Sequence, residues 1–173
     1  MCLEITGFAS LWVRYPTVHD PKEYIRETVR STGKWYYGQY TDWAKSRFDT
    51  VLLRYGGDDE GGTMSNRHIA RVLLIFSARS YWSDELFKLA FVQMFSMSPQ
   101  ADRWSGMFKV KKQDVFEVVE IDIIERGVHL IPCFTGLDLK MANQRSDPAV
   151  DVYTDFWLNN QIDMHMYNTI YGD

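Results

Sequence analysis

The sequence predicts an α+β fold that is mostly β: a compact antiparallel barrel with an N-terminal helix and a C-terminal helical tail. Three observations point to it. Five or six short runs rich in Val, Ile, Leu and aromatic residues fall between residues 48 and 132, separated by turn residues at a spacing too short for βαβ units. Helix-start chemistry stands at Asp20-Pro21-Lys22-Glu23. From Asp151 to Tyr171 apolar residues recur without strict alternation. At 173 residues the chain suits one domain. Its parts are a strand-and-helix cover over 1–47, a β core over 48–134, and a loop with a helical tail over 135–173.

The elements follow in order. Leu3 to Tyr15 reads as a strand through Phe8, Leu11, Trp12 and Val13. Asp20 then offers an N-cap, Pro21 suits the first helical position and Glu23 completes a capping box, so a helix is expected to Ser31, with Gly33 beyond its end. Tyr24, Ile25, Thr28 and Val29 would face the core. Trp35 to Trp43 is aromatic without a period and reads as irregular structure or a short helix. Phe48–Tyr55, His68–Ser77, Leu86–Met97, Met107–Lys111, Val115–Ile121 and Gly127–Pro132 read as strands. Gly56 to Gly62 packs four glycines and three acids into seven residues, which predicts an exposed loop. Ser98 to Arg103 and Asp122 to Glu125 read as turns. The segment after Thr135 is polar. One broken or two short helices follow Asp151, with a restart capped by Asp163.

Composition narrows the function classes. Six Trp, ten Tyr and ten Phe make 15% of the residues aromatic, and most of these must fill the core. The net charge of −4 opposes charge-led wrapping of nucleic acid, which requires clustered Lys and Arg. The one dense basic set is Arg103, Lys109, Lys111 and Lys112 beside Trp104. Two cysteines, Cys2 and Cys133, make neither a disulfide framework nor a zinc site. Without a basic stretch leading into an apolar run at the N-terminus, the expected compartment is intracellular and reducing.

Catalytic spacing is missing throughout. No Gly-x-Ser-x-Gly elbow occurs, and the glycines at 56–62 lack the Lys-Ser/Thr of a phosphate-binding loop. Four His leave little material for acid–base work. A hydrolase would need His129, Asp163 and His165 to converge. His129 in an apolar strand reads better as a structural residue, and Asp163 as a cap. Neither a metal nor a cofactor is expected.

The order of the strand signatures resembles a bromo-adjacent homology (BAH) domain. Phe48-Asp49-Thr50-Val51-Leu52-Leu53 is similar to that family's opening strand. His68-Ile69-Ala70-Arg71-Val72 resembles its Tyr-Ile-Ala-Arg-Ile strand, and Phe91-Val92-Gln93-Met94-Phe95 its Val-Gln-Trp-Phe strand. Met107-Phe108 lies where the family has Glu-Leu-Phe, and Val118 to His129 resembles its closing stretch. In addition, Gly127 to Phe134 followed by Phe156 to His165 resembles a segment of basidiomycete fungal proteins that travels with KDZ-type transposase regions.

These resemblances imply a BAH-like barrel, a nuclear, transposon-associated setting, and a non-catalytic module that binds a histone tail, another chromatin protein or a transposase. In the family some members hold methyl-lysine in an aromatic cage. Here His68 stands where the family carries Tyr, and Met94 where it carries Trp. Tyr81, Trp82 and Trp104 lie in neighbouring loops, so the candidate pocket is His68, Tyr81, Trp82, Met94 and Trp104. The alternative is a nucleic-acid-binding accessory domain of a transposase, using Arg103, Lys109, Lys111 and Lys112 with Trp104 as a stacking platform. The apolar tail around Phe156-Trp157-Leu158 also suggests a homodimer, with packing on its own core as the other use for it.

Overall fold

The computed structural model describes residues 3–33, 35–36, 43–44, 47–56, 66–80, 85–134 and 149–171. The chain is mostly β and its strand pairings are antiparallel. In chain order the strands are β1 (Leu3–Phe8), β2 (Ser10–Pro16), β3 (Tyr24–Thr32), β4 (Trp35–Tyr36), β5 (Trp43–Ala44), β6 (Arg47–Phe48), β7 (Thr50–Arg54), β8 (Arg67–Ser80), β9 (Leu86–Ala101), β10 (Phe108–Glu120), β11 (Ile124–Val128), β12 (Leu130–Pro132) and β13 (Asp155–Leu158). Two helices are described, α1 (Ala149–Val152) and α2 (Met164–Tyr171), and a 3₁₀ turn spans Ile121–Ile123.

The main sheet runs β11-β7-β8-β9-β10-β13-β12, and β1 pairs with the far half of β8. It is not a closed barrel. Its two outermost strands, β11 and β12, are consecutive in the chain with only His129 between them, but no hydrogen-bond ladder joins them. One face holds Val51, Leu53, Ala70, Val72, Val92 and Met94 under Val13 and Val29 of the β2–β3 hairpin. The other holds Leu52, Ile69, Phe95 and Val110 under Phe156, Leu158 and the Met166 and Ile170 side chains of α2. Cover on both faces explains why Val51, Leu52 and Leu53 are all 0% exposed. A strand buried on both sides reads as a continuous apolar run.

The N-terminal helix expected over Asp20 to Ser31 is instead strand β3. The Asp-Pro chemistry serves a hairpin turn: Lys22 N donates to Asp20 Oδ1 at 2.9 Å, and Thr17 N to Glu23 O at 2.9 Å. An Asp side chain that binds the backbone two residues on makes a turn as readily as a cap. Ile25, Glu27, Val29 and Ser31 then share one side of β3 at period two.

Four further expectations change. The single strand over Leu3–Tyr15 divides at Ala9 into β1, which pairs with β8, and β2, which pairs with β3. Met107–Lys111 and Val115–Ile121 form one strand, β10, with a register shift between Lys112 and Phe116. Residues 155–158 form a strand where the sequence predicts helix, although Asp163 does cap α2, accepting from Met166 N at 2.6 Å. The turn expected at Ser98–Arg103 begins later, because Pro99 sits at an irregularity in β9, where Ser98 Oγ accepts from Lys109 N at 3.1 Å. The glycine-rich loop beyond Gly56 and the polar segment 135–148 lie outside the described residues.

Candidate interaction surface

The aromatic pocket expected at His68, Tyr81, Trp82, Met94 and Trp104 is not assembled by the residues described. Tyr81 and Trp82 lie outside them. His68 is exposed at the start of β8 and meets the Tyr55 ring edge-on at 5.1 Å. Burial and a hydrogen bond to Glu117 push the Tyr55 phenol up to about 12. Met94 is 6% exposed inside the core, so it fills the interior and cannot line an outer pocket. Trp104 is 91% exposed at the tip of the β9–β10 turn, beneath the Arg103 guanidinium. Asp102 shapes that turn by accepting from Trp104 N and from both Ser105 N and Ser105 Oγ. The Ser105 donors, with the Trp104 amide, hold its carboxyl below the ordinary range.

The basic set is interleaved with acceptors. Lys109 Nζ lies 3.4 Å from Asp155 Oδ1, and Lys112 Nζ donates to Val150 O at 2.8 Å. Lys111 is opposite Asp155 in the β10–β13 register. Asp155 is held low by the Thr154 hydroxyl first and by Lys109 and Lys111 after it, so it stays charged beside them. Such pairing leaves little free positive field for phosphates.

His129, Asp163 and His165 do not converge. His129 contacts Asn159 at 3.3 Å and shares a cleft of about 400 Å³ with Asp163. His165 Nδ1 accepts from Val18 N at 3.3 Å and lines a separate cleft of about 740 Å³. Arg126 stands between the two clefts and lines both. Among the described residues no group of three or more His, Cys, Asp and Glu is placed to hold a metal ion.

Arg126 is the centre of a network that the sequence did not disclose. Only 2% of it is exposed. Its Nη2 donates to Glu27 Oε1 at 3.3 Å and to Asp163 Oδ2 at 3.0 Å, and its guanidinium lies 4.7 Å from the Tyr15 ring centre. Tyr15 OH donates to Glu27 Oε1 at 2.6 Å, and Gly127 N to Glu27 Oε2 at 2.8 Å. Burial, then this bond to Glu27, raises the Tyr15 phenol well above its ordinary value. Burial pushes Asp163 upward, but the Met166 amide, Arg126 and His165 outweigh it and hold the carboxyl low. One side chain thereby ties β2, β3, β11 and α2 together. The available signal was Glu27 at an inward position of β3, which the helix assignment hid.

Among the described residues, the far half of the main sheet carries an exposed apolar cluster. On the face covered elsewhere by α2 and β13, Leu74, Phe91 and Val118 stand side by side across β8, β9 and β10. Phe116 stacks on Phe91 at 5.7 Å between ring centres. Leu74 is 44%, Phe116 47% and Val118 57% exposed. Apolar side chains gathered on one sheet face and left wet are characteristic of a contact surface. By contrast, the C-terminal tail buries Phe156, Leu158, Met166 and Ile170 in its own core and leaves Ile162, Met164 and Tyr167 outside. No family model, no curated protein and no solved structure matches this chain.

Proposed function

We propose that the chain is a non-catalytic interaction module that binds a protein partner. The partner class suggested by the BAH-like and transposase-associated resemblances is a histone tail, another chromatin protein or a transposase, in the nucleus. The observation that carries the proposal is the exposed apolar face formed by Leu74, Phe91, Phe116 and Val118. Protein contact is favoured over nucleic acid because Lys109 and Lys112 are engaged by Asp155 and Val150, and the chain carries a net charge of −4. Binding of the purified protein to histone-tail peptide arrays, to nucleosomes and to naked DNA tests this. Retention of a histone peptide or a nucleosome, with no shift of DNA, is the expected result. Silence on every peptide and nucleosome overturns the chromatin assignment, and a steeply salt-dependent shift of naked DNA favours the accessory-domain alternative.

A further inference from the structure

Resting on that interaction-module proposal, we infer that the free edge of β10 takes up an extended, lysine- or arginine-bearing segment of the partner as an added strand. β9 occupies one side of β10 along most of its length, but β13 covers the other side only from Phe108 to Lys111. Among the described residues, no strand pairs with the outer edge of Gln113–Glu120. After the irregularity that ends at Phe116, the register with β9 is regular from Phe116 to Glu120. Among the described residues, the alternate N–H and C=O groups of Phe116–Glu120 that point away from β9 therefore have no strand partner. An edge of this kind is a template for another strand.

Proteins commonly blunt such edges with Lys or Pro. Neither occurs between Lys112 and Arg126, nor does Arg. The charges present are acids: Asp114, Glu117, Glu120, Asp122 and Glu125. Glu117 accepts from Tyr55 and Glu125 pairs with Arg67, whereas Asp114, Glu120 and Asp122 carry no ion pair among the described residues. The three acids on β10 itself, Asp114, Glu117 and Glu120, decide between occupants. A second copy pairing edge to edge would set acid against acid, which is unfavourable for directly opposed cross-strand residues. A basic segment gains at the same positions.

The pleat adds a period to that preference. Phe116 and Val118 face the open apolar surface beside Phe91, while Glu117 projects to the opposite face. An added strand would place its residues on the same two faces in alternation. The fitting sequence alternates apolar residues, set against Phe116 and Val118, with basic residues beside Glu117.

The test uses the full chain and four synthetic ten-residue peptides. The first alternates valine and lysine. The second has glutamate for lysine, the third blocks the same residues into a valine run and a lysine run, and the fourth carries backbone N-methyl groups at alternate residues. Expected are binding of the first peptide alone, weakening as salt rises, and slowed amide exchange in Phe116–Glu120. N-methylation or the blocked order should lower affinity by about tenfold or more. Glu117→Lys combined with Glu120→Lys should do the same while the thermal melt holds. Failure of the first peptide to bind, equal binding of the glutamate or N-methyl peptide, protection confined to another strand, or a dimer abolished by the two Lys substitutions overturns the inference. If a histone peptide binds elsewhere on the sheet, the interaction module stands and the β10 edge falls. If the first peptide protects β10 and no chromatin ligand binds, the edge stands and the chromatin partner falls.

Discussion

Replacing Arg126 by Met tests whether the buried guanidinium holds the two layers together. Arg126→Met keeps an apolar stem of similar reach and removes the charge shared by Glu27 and Asp163. Stranding a charge by deleting its buried partner costs about 3–5 kcal/mol. The acids left behind here are partly wet, with the Glu27 and Asp163 side chains 29% and 39% exposed. Each also keeps another donor, Tyr15 and Gly127 for Glu27 and Met166 for Asp163. The expected loss is therefore about 2–3 kcal/mol, including the guanidinium–Tyr15 contact. For a domain of this size that is a fall in Tm of about 5–10 °C. Urea unfolding at pH 7 with a parallel thermal scan measures it. Pairing the substitution with Glu27→Gln in a double-mutant cycle isolates the coupling. An unchanged or raised Tm would refute the reasoning, because buried ion pairs can be replaced by apolar side chains without loss when they do not organise the fold.

Other outcomes follow from single sites. Phe156, fully buried and packed edge-on against Phe95, should cost about 3–5 kcal/mol as Phe156→Ala, read from the urea midpoint. Because folding holds the Asp163 carboxyl below its unfolded value of about 4, its stabilisation is complete above that pH and is lost as pH falls through the folded value. Acid titration of stability should accordingly be shallower below about pH 5 in Asp163→Asn than in the parent. Met94→Ala should lower stability by about 2–5 kcal/mol, whereas Trp104→Ala should leave it within about 0.5 kcal/mol, since one fills the core and the other is bare. Gly106 has φ 68° and its carbonyl accepts from Asn160 and the Tyr171 hydroxyl, so Gly106→Ala should cost about 1 kcal/mol through the backbone alone, measured by thermal melt.

Much of the strand content was legible because Phe48–Tyr55, His68–Ser77 and Leu86–Met97 are apolar runs of strand length, and β7, β8 and β9 lie where those runs do. The cap at Asp163 was also visible, since its side chain performs the local chemistry that its sequence position suggests. What misled was chemistry with two local uses. Asp20-Pro21 can cap a helix or turn a hairpin, and only the pairing of Tyr24–Pro16 through Arg30–Ser10 selects the turn. The Phe156-Trp157-Leu158 segment is apolar at three successive positions, which suits a helix as well as a strand, and only the distant partners β10 and β12 select the strand. Met94 showed its sequence register but not the face it occupies, which depends on the cover provided by Val13 and Val29. The Arg126 network joins residues 99 positions apart, and no window of sequence shows such a contact.

The single residue between β11 and β12 has a consequence for the order in which the chain folds. Thr50 Oγ1 donates to Val128 O across 78 residues of chain, and two residues later Leu130 pairs with Leu158. Neither half of the segment 124–132 can find its register from local sequence. Each waits for a partner strand delivered by a different, distant part of the chain. Closing such loops is slow because their entropy is lost before the contacts form. His129 thus marks a seam that should set late in refolding and open early in native-state exchange, while the β8–β9 pair and the β10 amides that face β9 are already protected.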